Sequence, residues 1–185
     1  MRNFILLVVL LLTSCVSTQQ NKMMLTNTSI GDMPIGVGKE ISLADIKQYF
    51  PLYTVSHKIA SGDSPDYHLY VLSSQEGEVL VSFISYINQP DGYKNSRVKL
   101  DEIIVHSSKI QDQFGVTPNM AINQALAKRN NVKFGAGHTN NYLGNDKIWY
   151  MFSVNQLHGT QVTKAMAVAV NPNIESITWP NPRWN

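Results

Sequence analysis

The chain holds a single cysteine, Cys15, in 185 residues. That excludes a disulfide within the chain and any site built from several cysteines. Charge is sparse: 15% of residues are Asp, Glu, Lys or Arg, and the formal net charge is +2. Such a balance offers no strong field for nucleic acid, so no nucleic-acid partner is expected. Apolar runs are short too. Phe4 to Leu12 is unbroken, yet it falls below the roughly 20 residues that a permanent membrane-spanning helix needs. Local catalytic signatures are also missing. There is no Gly-x-Ser-x-Gly elbow, and no histidine pair at i and i+4 on a helix. Stability must come from an ordinary core, for which a hydrophobic content of 43% is sufficient.

What is present begins at the N-terminus. Met1-Arg2-Asn3 carries one cation, Phe4 to Leu12 is apolar, and Thr13-Ser14 are small. This is the layout of a secretory signal, predicted over residues 1–14. Leu12-Thr13-Ser14-Cys15 resembles the lipobox of bacterial lipoproteins. The resemblance implies a diacylglycerol thioether on Cys15, cleavage before it and an acylated new N-terminus. The alternative is a plain secretory signal with an incidental cysteine. Residue 16 is Val rather than Asp. By the sorting rule of enteric bacteria this favours the outer membrane, facing the periplasm. Several acyl chains give stable anchoring, at about 0.8 kcal/mol per buried CH₂. The expected membrane contact is thus the lipid on Cys15.

Residues 15–34 are rich in Ser, Thr, Asn and Gln and show no lasting period. They are expected to form a flexible tether, with Met23-Met24-Leu25 as its one apolar cluster. A single domain is expected over 35–185. Within it the chain repeats a pattern. Ser42 and Asp45 make a weak capping box before Leu43, Ile46, Lys47 and Phe50, and Pro51 ends the helix. Alternating runs follow at 53–60, 68–72, 79–87 and 100–107. Thr117 and Pro118 suit a second helix start, with Ile122, Ala125, Leu126 and Arg129 on one face. Runs at 131–137, 147–154, 165–170 and 174–179 then read as strands.

Gly36-Val37 matches Gly115-Val116 at an offset of 79 (115 − 36), and Leu100-Asp-Glu-Ile matches Ile174-Glu-Ser-Ile at 74 (174 − 100). The predicted class is α+β: an antiparallel sheet with two short helices packed on it. It reads as a degenerate duplication of an α-β-β-β-β unit over 35–107 and 114–185.

Candidate chemistry is thin. His57, His68 and His106 fall in strand-like runs and read as strand-face positions. His138 and His158 flank the run at 147–154 without ligand spacing, so neither a metal nor any other cofactor is expected. Gly135, Gly137, Asn140, Asn141 and Gly144 in "FGAGHTNNYLGN" (134–145) read as turn residues, because the segment lacks the Gly-Lys-Ser/Thr ending of a phosphate loop. It is nevertheless the candidate ligand loop, in which His138, Asn140 and Asn141 would hydrogen-bond and Tyr142 would form a wall. Asp101 and Glu102 are adjacent, so on a strand they point to opposite faces and cannot act as a glycosidase pair. No catalytic residue is assigned. Trp179, Arg183 and Trp184 in the closing "SITWPNPRWN" are interface-prone types and form the candidate partner surface. The bland alternative has the tryptophans covering one end of the sheet.

Taken in order, the lipobox, "LDEIIVHSSKIQDQFGVTPNMAI", "KIWYMFSV" and "IESITWPNPRW" resemble the sigma-E-regulated outer-membrane lipoproteins of gamma-proteobacteria, the YfeY-like group. The matching pieces are Leu100 to Val105, Ile110 to Val116, Trp149 to Phe152 and Ile174 to Trp184. The last departs from the pattern, since Pro180-Asn181-Pro182 separates Trp179 from Arg183. The resemblance implies an envelope address and expression under envelope stress, and it carries over no catalytic residues. The expected function is a non-catalytic envelope accessory that binds a protein partner, by strand addition to an open sheet edge. A small-ligand or glycan binder is the alternative, and an envelope-polymer hydrolase ranks last.

Overall fold

The computed structural model describes residues 23–61, 65–137 and 139–180. The predicted signal, Cys15, His138, Arg183 and Trp184 lie outside these residues.

An eight-stranded antiparallel sheet dominates, in the order β11-β12-β13-β14-β9-β7-β6-β5. The first half of the chain supplies β5 (Thr54–Ala60), β6 (Tyr67–Ser73), β7 (Val79–Tyr86) and β9 (Glu102–Val105). The second half supplies β11 (Lys133–Ala136), β12 (Asn141–Asn145), β13 (Ile148–Phe152) and β14 (Ser176–Trp179). Each half is a four-stranded meander, and the halves meet where β9 pairs with β14. The α+β class and antiparallel sheet are as the alternating runs predict.

Helix α1 (Leu43–Tyr49) forms where the capping pattern placed it. Ser42 Oγ accepts the Asp45 backbone N–H at 3.1 Å and donates to the Asp45 carboxylate at 2.8 Å. Helix α2 (Ile122–Lys128) starts later than Thr117-Pro118 suggested. The reason is tertiary: Asn119 N–H donates to Ile174 O at 2.7 Å, and Ile174 N–H donates to Met120 O at 2.8 Å. The backbone there makes a turn of its own, with Met120 N–H donating to Thr117 O and Asn119 left-handed at φ 68°, and Ala121 then bridges Asn173 before the helix begins.

Two expectations fail outright. The run at 165–170, read as a strand, belongs to helix α3 (Lys164–Val170). Thr163 caps it, its Oγ1 accepting the Met166 N–H at 3.2 Å, and Asn171 closes it in the left-handed region. Alternating Ala and larger residues mimicked period two, but alanine favours helix. The tether also ends sooner than residue 34. Three two-residue strands, β1 (Met24–Leu25), β2 (Ser29–Ile30) and β3 (Met33–Pro34), join β10 (Gln111–Asp112) in a second sheet. Met23, Leu25, Ile30 and Met33 are buried in the core. Only four apolar residues spaced among turns are involved, too few to show a period. β4 (Glu40–Ser42) and β8 (Arg97–Lys99) make a further two-stranded ladder.

One face of the large sheet carries Val55, Tyr70, Leu72, Val81, Phe83, Ile103, Val105, Ile177 and Tyr150, which share one side by register. The helices and the small sheet pack there: Phe50 meets Phe83 at 6.3 Å between ring centres, and Arg129 and Asp112 both reach Tyr150.

Candidate functional site

The expected ligand loop is a β-hairpin. Phe134 pairs with Leu143 and Gly135 with Tyr142, so β11 and β12 occupy most of 134–145. Gly144 is required by close approach: a Cβ there would lie 2.5 Å from Ile148 O and 2.7 Å from Trp149 Cα. Asn141 and Tyr142 are consecutive on β12 and project to opposite faces. Asn141 is fully buried, while the Asn140 backbone carbonyl accepts the Gly137 N–H at the turn. Asn140 and Tyr142 meet, hydrogen-bonded through their side chains, while Asn141 points away from them. Trp179 fails as a partner surface. It is fully buried, and its Nε1–H donates to Asn27 O at 3.1 Å, tying the large sheet to the N-terminal one.

The structure brings together residues that the linear pattern left apart. His57 on β5 sits opposite Tyr70, and His68 on β6 sits opposite Ile59, so both imidazoles project from one face of the hairpin. His57 Nε2 and His68 Nδ1 are 3.0 Å apart, with the ring planes 14° from parallel. His57 also stacks on Tyr70 at 4.5 Å between centres. His68 is only 2% exposed, and its Nε2 meets Gly92 O at 2.9 Å. Burial, followed by the charge of His68, lowers the pKa of His57. The β5–β6 register, with Ala60 opposite Tyr67, places 57 and 68 on the same face.

Gly92 lies in a 3-10 turn, Pro90–Lys94, that walls a cavity of about 360 Å³. Its lining is polar, with Glu40, Asp91, Asp101, Arg97 and Lys99 around His68. Arg97 is already held by Asp45 at 3.1 Å and Glu40 at 3.5 Å. Asp101 accepts the Tyr86 N–H at 2.8 Å, and Glu102 accepts the Tyr86 hydroxyl at 3.0 Å, so two adjacent acids, one just before β9 and one opening it, brace one tyrosine. Among the described residues no group of three or more His, Cys, Asp or Glu is placed to hold a metal ion.

A second polar cluster is structural. Asp112 is fully buried and accepts from Phe114 N–H, Val116 N–H and, at 2.7 Å, the Tyr150 hydroxyl. Arg129 donates to Tyr150 Oη, Ile148 O and Asn145 O and lies over Phe114 at 4.3 Å. Desolvation raises the Asp112 pKa against these hydrogen bonds. The cluster locks the small sheet, α2 and the large sheet together.

No family model matches the chain, and no curated protein is similar in sequence. Among solved structures, the fold is similar to the crystal structure of the uncharacterized protein yfeY from Escherichia coli. The TM-score is 0.58 at 14% identity, covering 85% of this chain and 99% of that one. The likeness is one of fold, and it supports a YfeY-like fold for this chain.

Proposed function

We propose that the protein is a lipid-anchored, non-catalytic binding module of the Gram-negative envelope that captures an extended segment of a protein partner along β5. The observation that carries this is the edge itself. β5 is seven residues long and ends the large sheet, and Thr54, Ser56, His57, Lys58 and Ile59 on it are exposed. An unpaired edge presents main-chain donors and acceptors ready for a further strand. Lys58 is the charge on that edge, so the incoming strand would carry an acidic residue opposite it. The lipobox at Cys15, Val16 after it and the resemblance to sigma-E-regulated lipoproteins support an outer-membrane address facing the periplasm. They also support induction under envelope stress.

The test is photo-crosslinking in intact cells from a probe at Ser56, with a probe at Val170 on α3 as the remote control. One dominant envelope protein captured at Ser56, and lost with Lys58→Pro, is the expected outcome. Equal capture from both sites, or none from Ser56, rejects the edge. Cys15→Ser should move the protein from the membrane to the soluble periplasmic fraction, and retention in the membrane rejects the lipid anchor.

The polar cavity beside His68 favours a second reading, a small polar ligand or glycan held between the 3-10 turn and β8. Binding of cell-wall sugars by the purified chain, abolished by Asp91→Ala, would place that reading first. A hydrolase acting on envelope polymers ranks last.

A further inference from the structure

Gly92 O can only accept, so His68 Nε2 must carry a hydrogen. In neutral His68 the other nitrogen, Nδ1, is then bare. It faces His57 Nε2 at 3.0 Å, so His57 must donate from Nε2, and its own Nδ1 is left bare. Both tautomers follow from one carbonyl.

Consider protons added from solvent. The first binds His57 Nδ1, on the exposed ring. Nothing between the rings changes, and the His57-to-His68 hydrogen bond becomes charge-assisted. The second has one place left, His68 Nδ1. Two N–H groups would then point at each other across 3.0 Å, and the contact must break. His68 is buried and retains Gly92, so the ring that leaves is His57, and its stack on Tyr70 goes with it.

We propose that His57 and His68 form a one-proton clasp that ties the edge strand β5 to the Pro90–Lys94 turn and opens when a second proton binds, so that the order of this edge depends on pH. The inference does not depend on any partner binding there. Other charged or titratable groups surround the pair. Lys58 is on β5, Tyr67 and Tyr70 are on β6, and Asp91, Tyr93 and Lys94 are on the turn, where Tyr93 donates to Asp66 at 2.8 Å. Across the cavity lie Glu40, Arg97, Lys99 and Asp101. The charge that acts on His57 is that of His68. The sign follows for the pair: burial and then the charge of the neighbouring imidazole disfavour the doubly protonated state when folded, so the clasp's contribution is present above the ordinary value of 6.5 and is lost as pH falls through the lower, second step.

The test uses the full chain. Imidazole nitrogens are followed by NMR from pH 8 to 4, and backbone protection over 54–60 by hydrogen exchange, corrected for intrinsic rates. The expected result is two macroscopic steps about one pH unit or more apart, with protection of β5 falling about tenfold across the lower step. His57→Phe keeps a ring over Tyr70 but carries no proton, and should show protection that does not vary with pH. His57→Gln should do the same, which covers the case in which Phe prevents folding. Asp91→Asn should leave both steps in place. A single unsplit step for both rings overturns the clasp, as does the wild-type pH dependence surviving in both His57 variants.

Discussion

Ile104 on β9 and Thr178 on β14 face each other at the centre of the eight-stranded sheet, and they are also the residues that the internal repeat superposes. Their separation is 74 (178 − 104), the offset that aligns Leu100 with Ile174. Around them Ile103 pairs with Trp179 and Val105 with Ile177, so each residue pairs with the equivalent of the other's neighbour. A local two-fold axis runs between Ile104 and Thr178. The relation continues outward. Gly38 N–H donates to Leu100 O as Asn119 N–H donates to Ile174 O. The Glu40–Lys99 pair is echoed by the Ala121–Asn173 bridge. Gly38 and Asn119 are both left-handed, at φ 73° and 68°. Their offset is 81 (119 − 38), which corrects the 79 inferred from matching Gly36 to Gly115.

The two-fold predicts matched responses at Gly38 and Asn119. A β-branched residue in the left-handed region costs about 1–2 kcal/mol, so Gly38→Val and Asn119→Val should each lower stability by about that much in urea unfolding. Asn119→Gly should be neutral or slightly stabilising. A Gly38→Val cost near zero would show that the turn relaxes and that the equivalence is not energetic.

Trp179 should behave as core. Trp179→Ala is expected to cost about 3–5 kcal/mol, since the ring is fully buried and its N–H is bonded to Asn27 O. Chemical denaturation measures this directly, and a loss of less than about 1 kcal/mol would contradict the packing.

Gly144→Ala should destabilise through collision with backbone. The new methyl meets Ile148 O and Trp149 Cα, neither of which is a movable side-chain end. Overpacking of this kind costs about 1–3 kcal/mol. Gly77→Ala gives a contrasting control, with nothing within 4 Å of the added carbon and only the strain of φ 87° to absorb.

Asp112 predicts a pH dependence of opposite sign to that of His57. Its folded pKa is raised from 3.8, with burial as the leading cause. Its contribution is therefore fully present below the unfolded value and is lost as pH rises through the folded one. Urea unfolding of wild type and Asp112→Asn across this range should show a downward slope with rising pH in the wild type that the variant lacks. Parallel curves would mean that the carboxylate is not desolvated. Tyr150→Phe should cost about 1–3 kcal/mol, because it removes the hydroxyl from a buried acceptor and from Arg129.

Much of the architecture was legible along the chain. Strand-like runs located β5, β6, β7, β9, β11, β13 and β14: β6 and β9 alternate because they are buried on one face, whereas β7, β13 and β14, buried on nearly every residue, read as short apolar runs. Ser42 and Asp45 announced α1, because a cap is a local bond. The match of Leu100–Ile103 to Ile174–Ile177 disclosed the repeat. The site was less legible. Asn141 and Tyr142 looked like loop residues because Gly, Asn and His suit turns, and only the pairing of Phe134 with Leu143 makes them strand.

By itself the sequence determined the alternation, the α1 cap, the duplicated order and the sparse, nearly neutral surface. The alternation and the cap depend on residues within a turn or two of one another, and the repeat and the charge are read along the chain without any contact being known. The tertiary structure alone decided that Met23 to Pro34 would join the fold, since its two-residue strands hold only as a ladder that β1 joins to β10. It decided that Arg129, apparently a helix-end cation, would be buried over Phe114 beside Tyr150. It also set His57 against His68, through a hairpin register and a carbonyl 24 residues away at Gly92. Hydrogen bonds and burial across such separations depend on which surfaces meet, and no local period records that.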